Sequence, residues 1–219
     1  MISRYIKKGV TWVDINNPAH DELISIKEEF LLSNSVIDDL EQPSLKPSIY
    51  KTDDYIYAVT HLPTKKNPSD RQFTEIDSIL SKHWLITVRY DKDKDYAENS
   101  FERLQTLADN FFSYQTTAGV EASYLLYKFF KDFYEKAHNH LDDTEREIDT
   151  IKKNLFSNYS SEVVNSISKI SFMLIDMSYS LRFHHSVFDE LRDWSKNLKF
   201  DKLVNYEDKL ESRISFLHR

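Results

Sequence analysis

The chain contains no cysteine and, in 219 residues, only two glycines, Gly9 and Gly119. Without cysteine there is no disulfide, no thiolate nucleophile and no Cys-based zinc site. Average usage would bring about fifteen glycines. Two cannot build GxGxxG or GxxxxGK[ST], so glycine-rich phosphate loops are excluded, and no G-x-S-x-G elbow occurs. Such scarcity predicts long helices with few tight turns. No apolar run reaches 18 residues, so no transmembrane helix is expected within these 219 residues. The opening "MISRYIKKGV" lacks the apolar core and small-residue cleavage site of a signal peptide. A basic excess is missing too. Against 36 acidic residues stand 29 Lys and Arg, a net charge of −7, which argues against a nucleic-acid partner and favours cations.

What is present is enough apolar content, 40%, for an ordered core in one large or two small domains. The two halves of the chain have different periods. From Ile2 to about Tyr90 the pattern is short and strand-like. "VTWVDI" (10–15) is β-branched and aromatic and stops at "NNP". Leu23, Ile26 and Phe30 then predict an amphipathic helix near 19–31. Ser33 or Ser35 can cap a second, short helix that Pro43 ends. "SIYKTDDYIYAVTHL" (48–62) reads as a hairpin hinged at Asp53-Asp54, and "FTEIDSIL" pairs with "WLITVR" around Lys82-His83. Between the hairpins, "PTKKNPSDRQ" (63–72) is a polar, proline-punctuated loop.

From about Glu98 the pattern is helical. Tyr127, Phe130, Tyr134, Ala137, Leu141, Thr144, Ile148, Ile151 and Leu155 step by three and four. After a turn at "SNYSS" (157–161) the rhythm resumes through Val163, Ile167, Ile170, Leu174, Met177, Leu181, His184, Phe188 and Leu191. That predicts a long antiparallel helical hairpin with arms of roughly 45 Å, at 1.5 Å per residue. Arms of that length protrude and meet partners. A third helix starts in "DKLVNYEDKLESRISFLHR" (201–219), with Leu203, Leu210, Ile214 and Leu217 on one face, and reads as the beginning of something longer.

Several residues could carry chemistry. "SVIDDLEQPSLKP" (35–47) places Asp38 and Asp39 together at a helix end. In "HNHLDD" (138–143), His138 and His140 face nearly opposite sides of a helix and cannot share a metal, whereas His138 and Asp142 can. His185 and Asp189 offer a second i, i+4 pair, but zinc would need a third ligand from elsewhere. His184 falls on the apolar stripe and reads as a core histidine. The acids of "DDTEREID" (142–149) belong to a solvated helix face. No catalytic motif is present, so the sequence does not read as an enzyme.

Four segments, in order, resemble the cytoplasmic part of the CorA family of divalent-cation channels. "WVDINNPAHDELISIKEEFLLSNSVIDDL" resembles its W-[IV]-[DN]-[IL] strand, helix and L-x-[DE]-[DE]-[IL] helix end. "KPSIYKTDDYIYAV" resembles its R-P-K segment, with Lys46 at the usual arginine. "TEIDSILSKHWLITVR" resembles a strand pair, and "SYLLYKFFKDFYEKAHNHLDDTEREID" a long helix. The family's transmembrane hairpin, with its Gly-Met-Asn motif, is not in these residues, and neither is most of the stalk helix. The segment before Trp12 is short, so the extra strands of longer members are not expected there.

The resemblance implies an α+β fold: an N-terminal α/β/α layered domain with a mainly antiparallel sheet (1–118), a long antiparallel helical hairpin (119–200), and the start of a stalk helix (201–219). It implies a homopentamer in the cell membrane with this part in the cytoplasm, closed by Mg²⁺ bound between neighbouring subunits. The matching ligand positions are Asp39 and Asp208, with Asp38 and Glu211 secondary. For the chain alone a monomer or dimer is equally compatible. Relatives that carry Zn²⁺, Co²⁺ or Ni²⁺ leave those ions as alternatives, and a stand-alone helical-hairpin scaffold is the alternative of another class.

Overall fold

The computed structural model describes residues 2–7, 9–44, 46–63, 73–90, 106, 121–155, 161–197 and 199–218. The loop expected between the two hairpins, the helical start expected between Glu98 and 120, and most of the "SNYSS" turn lie outside them. Six strands come first in the chain, with two helices inserted: β1 (Ile2–Lys7), β2 (Val10–Asn16), α1 (His20–Phe30), α2 (Asn34–Leu40), β3 (Ser48–Lys51), β4 (Ile56–Pro63), β5 (Phe73–Leu80) and β6 (Trp84–Arg89). Four longer helices follow: α3 (Ala122–Leu155), α4 (Ser161–Leu181), α5 (His184–Ser195) and α6 (Phe200–Leu217).

The strands form one sheet in the order β1-β2-β6-β5-β4-β3. Every pairing is antiparallel except β2 with β6, which is parallel with Trp12 opposite Leu85 and Asp14 opposite Thr87. Both hairpins expected from the sequence are present. Thr52 closes the first, its Oγ1 accepting from the Tyr55 amide at 3.0 Å and donating to the Tyr55 carbonyl at 3.0 Å. The strand-like pattern that starts at Ile2 begins with β1, whose Tyr5 ring stacks on Trp12 with centroids 5.2 Å apart.

Strand alternation divides the sheet into two buried faces. Val13, Ile15, Tyr57, Val59, Ile79, Ile86 and Val88 pack against Leu23 and Ile26 of α1 and Val36, Ile37 and Leu40 of α2. Val10, Trp12, Ile56, Ala58, Leu62, Ile76, Leu80 and Leu85 pack against α3–α6. The two short helices are held at their ends. The Glu22 carboxylate accepts from the Ala19 amide at 2.9 Å, and Leu31 closes α1 in the left-handed region. Ser33 caps α2, its Oγ accepting from the Val36 amide at 3.4 Å.

The heptad stripe is the buried seam of the helical layer, from Tyr134, Ala137 and Leu141 on α3 to Leu174, Met177 and Leu181 on α4. The second arm is not one helix. It breaks at Arg182 and Phe183 and restarts at His184, while the stripe continues through Phe188 and Leu191. The break lets α5 dock on the first hairpin, where Trp194 Nε1 donates to the Thr52 carbonyl at 3.1 Å and Lys51 pairs with Glu190 at 2.8 Å. Within the described residues α6 lies along the bundle. Its Leu203, Leu210 and Ile214 are buried, and Arg213 reaches Asp142 on α3 at 2.6 Å. Phe172, Ile175 and Tyr179 on the outward side of α4 stay roughly half exposed (61%, 47% and 56%).

Candidate metal centre

Asp38 and Asp39 occupy the last turn of α2 and are exposed, while Val36, Ile37 and Leu40 of that helix face the sheet. The 3.6-residue period produces this split: burying positions 36, 37 and 40 turns 38 and 39 outward. Asp208 and Glu211 sit one turn apart on α6, the first exposed and the second half-buried. A shallow depression of about 380 Å³ beside Asp208 is lined by His138, Lys209, Ser212 and Arg213. The Arg213 guanidinium is engaged by Asp142 at 2.6 Å and Glu145 at 3.4 Å.

α2 covers one face of the sheet and α6 belongs to the layer on the other. The structure therefore brings Asp38 to Asp39, and Asp208 to Glu211, but not one pair to the other within a single chain. Among the described residues no three His, Asp or Glu side chains converge where one metal could sit. Each half does suit Mg²⁺, a hard cation that keeps most of its waters and takes one or two carboxylates. An ion touching both halves would need two chains.

The histidine candidates have other duties. His138 offers its carbonyl to Arg213 at 3.3 Å, and burial lowers its imidazole pKa. Asp142 is held by the same arginine, so this pair is a helix–helix tie. His184 is fully buried, as the stripe predicts. Its Nδ1 lies 2.7 Å from the Tyr134 hydroxyl and its Nε2 3.0 Å from the His61 carbonyl. His185, half exposed, has Nε2 3.5 Å from Asp189 and Nδ1 4.0 Å from Glu207.

Glu207 and a pair of strand acids escaped the sequence reading. Glu207 is buried on α6, and its Oε1 accepts from the His185 amide at 3.0 Å, capping the start of α5 from another helix. Its Oε2 accepts no hydrogen bond, with His185 Nδ1 4.0 Å away. Burial pushes the Glu207 carboxyl up to about 8, with Glu211, Asp208 and Asp189 adding in the same direction and the His185 amide opposing. A carboxyl raised this way supports the fold below about pH 4.5, and that support is lost as pH rises through about 8. Glu207→Gln keeps an acceptor for His185 and removes the charge. In urea unfolding the variant should match the parent at pH 5 and exceed it by about 2 kcal/mol at pH 9, less than the full shift because half-exposed His185 admits water. An advantage that does not grow with pH would show Glu207 ionised throughout.

On β5, Glu75 and Asp77 point to the α2 face and are 5% and 0% exposed. Two acids two apart in an otherwise apolar strand were the available signal. On the opposite face, Asp14 receives Thr87 Oγ1 at 2.6 Å, Arg89 Nε at 3.2 Å and Arg89 Nη2 at 2.6 Å, all buried. Thr87 Oγ1 in turn accepts from Trp12 Nε1 at 3.0 Å. The residues of "WVDI" and "LITVR" that carry the family resemblance are thus one hydrogen-bonded network across β2 and β6.

The chain is thus a sheet faced by two short helices on one side and a long-helix bundle on the other, with exposed acids at the α2 end and on α6. The chain belongs to the family of CorA-like Mg²⁺ transporter proteins, whose model matches residues 7–218. Its fold is similar to that of the complete CorA magnesium transporter from Methanocaldococcus jannaschii, with a TM-score of 0.73 at 17% identity over 95% of this chain and 66% of that one. The chain thus spans about two thirds of the length of that transporter. The soluble domain of the same transporter matches at a TM-score of 0.66 and 16% identity, over 95% of this chain and 86% of that one. The ZntB cytoplasmic domain from Vibrio parahaemolyticus matches at 0.65 and 14%, over 95% and 82%. No curated protein sequence matches the chain. No described helix is long and apolar enough to cross a membrane.

Proposed function

We propose that this chain is the Mg²⁺-sensing, gating domain of a homopentameric CorA-like channel, lying in the cytoplasm below a pore in the cell membrane. In this reading Mg²⁺ bridges Asp39 of one subunit to Asp208 of the next, with Asp38 and Glu211 as outer partners, and holds the pore closed. The observation that supports it is the placement of the two acid pairs on opposite faces of the sheet, so that a site using both needs a second chain. Charge supports it: five copies at −7 each carry −35, a repulsion that bound cations offset. The half-exposed Phe172, Ile175 and Tyr179 support contact with a partner. Weak sites suffice. At ten times its dissociation constant a cation adds about 1.4 kcal/mol per interface, or about 7 kcal/mol over five, enough to swing a two-state equilibrium.

Sedimentation of the chain with and without about 10 mM Mg²⁺, a level set by weak regulatory sites, tests this. Mg²⁺ should drive association or raise stability in the parent and do neither in Asp39→Ala or Asp208→Ala. A parent indifferent to Mg²⁺ overturns the assignment of these acids. Likeness to the ZntB domain favours a second reading in which the ion is Zn²⁺, with Co²⁺ and Ni²⁺ beside it. Zinc prefers imidazole, so a Zn²⁺ response abolished by His185→Ala would select it.

A further inference from the structure

Under the α2 end the sheet buries two acids on one strand. The titratable groups that face Asp77 among the described residues are Glu75 on its own strand, Tyr57 and His61 on β4, Tyr90 after β6, and Asp39 on α2, whose charge acts on both tyrosines. Glu75 Oε1 accepts from the Ser44 amide at 2.7 Å, just beyond α2. His61 Nε2 lies 3.3 Å from the Ser44 carbonyl and 3.4 Å from Glu75 Oε2. Asp77 Oδ2 accepts from the Tyr57 hydroxyl at 3.2 Å. Glu75 Oε2 and Asp77 Oδ1 accept no hydrogen bond, and the charge of Glu75 bears on the Asp77 carboxyl from the same face of the strand. Two carboxylates this close and this buried do not both ionise.

A count of hydrogens at Tyr90 independently calls for a proton on Asp77. Its hydroxyl oxygen is 2.9 Å from Asp77 Oδ2 and 3.1 Å from the carbonyl oxygen of Leu40, the last residue of α2. Burial holds this phenol far above its ordinary pKa, so it keeps its hydrogen, and it has only one. A carbonyl only accepts, and so does an ionised carboxylate. Both contacts are hydrogen bonds only when Asp77 supplies the second hydrogen. Asp77 then donates to the Tyr90 oxygen, and Tyr90 donates to Leu40.

We propose that Glu75 and Asp77 hold a single proton, carried on Asp77 Oδ2, and that this proton, relayed through Tyr90, fastens the C-terminal end of α2 to the sheet. When it leaves to solvent, Asp77 can only accept. Tyr90 turns its hydrogen to the new carboxylate, the stronger acceptor, and the Leu40 carbonyl loses its donor. Burial first, and then Glu75, holds the Asp77 carboxyl well above the usual carboxylate range, so the fastening is complete at low pH and released as pH rises through that raised value. The next residue toward the helix start is Asp39. Coupling of the proton to cation sensing rests on the reading above, whereas the switch itself is read without any metal.

The test is carbon-detected NMR of the 219-residue chain, free of Mg²⁺, between pH 5 and 9, following the Asp77 Cγ and Leu40 carbonyl resonances in the parent and in Tyr90→Phe. Asp77 should still sit at the protonated-acid position at pH 5, above the ordinary carboxylate range, and move toward the carboxylate position as pH rises, with Leu40 shifting at the same midpoint. In Tyr90→Phe, Asp77 should still titrate and Leu40 should stay still. The proposal is overturned by an Asp77 carboxyl already ionised at pH 5, or by a Leu40 resonance that does not follow Asp77. A Leu40 shift that survives in Tyr90→Phe overturns the relay. If Tyr90→Phe does not fold, the parent titration alone decides. Adding Mg²⁺ separates the two readings: a titration that holds while Mg²⁺ drives no association removes only the cation assignment.

Discussion

Asp14→Ala should lower the unfolding free energy by about 3–5 kcal/mol, the cost of removing one member of a buried ion pair. Asp14 and Arg89 are each 2% exposed in their side chains. The carboxylate accepts two bonds from the guanidinium and one from Thr87, which also receives Trp12. The variant leaves Arg89 without its carboxylate and Thr87 without its acceptor. Burying a charge is costly unless it is paired, so most of the loss comes from the abandoned arginine and not from the bond itself. A double variant, Asp14→Leu with Arg89→Met, should therefore recover much of it, because an apolar pair of similar volume carries no desolvation cost. Urea unfolding of the three chains at pH 7 checks this. A single variant within 1 kcal/mol of the parent would mean that water reaches the guanidinium.

The second large effect belongs to His184. The His61 carbonyl can only accept, so Nε2 carries the hydrogen, and Nδ1 accepts from Tyr134. Protonating Nδ1 would break the Tyr134 bond and bury a charge, and burial accordingly pushes the imidazole down to about 4. A histidine near 6.5 when unfolded and near 4 when folded binds its proton preferentially in the unfolded chain between those values. Acidification from about pH 6.5 to 4 should then cost about 3 kcal/mol through this residue alone. His184→Phe fits among Phe130, Phe133 and Phe188, which already pack on the ring. It leaves a buried hydroxyl and a buried carbonyl without their partner, at about 1–3 kcal/mol each. The variant should be about 3 kcal/mol less stable than the parent at pH 7, with most of that gap closed at pH 4.5. A gap that is constant with pH would show that His184 does not titrate in the folded chain.

Local periodicity carried much of the architecture. Leu23 and Ile26, and the three-and-four steps from Tyr127 to Leu191, identified helices because burial on one side of a helix needs only near neighbours in sequence. The Asp53-Asp54 and Lys82-His83 hinges identified hairpins for the same reason. The break before His184 was not legible, because the apolar stripe runs through it and its cause lies elsewhere: a carbonyl on β4, a hydroxyl on α3 and a carboxylate on α6. The strand-like pattern from Ile2 covered β1, whereas its stacking of Tyr5 on Trp12 had no local signal. Asp39 and Asp208 came from the family resemblance, since nothing local separates them from the chain's other acids. Glu75 with Asp77 was readable in principle from strand alternation. The role of Tyr90 was not, because its partners stand 13 and 50 residues away.

The parallel pairing of β2 with β6 has a kinetic consequence. Asn16 lies opposite Arg89, so the first two strands find no place in the sheet until Arg89 has been synthesised, 73 residues later. β3–β4 and β5–β6 are short-range hairpins that close first, whereas joining β2 to β6 must overcome the entropy of a long loop. During synthesis the N-terminal hairpin waits for β6, and its docking, sealed by Asp14 on Arg89, is expected to follow the closure of the two local hairpins.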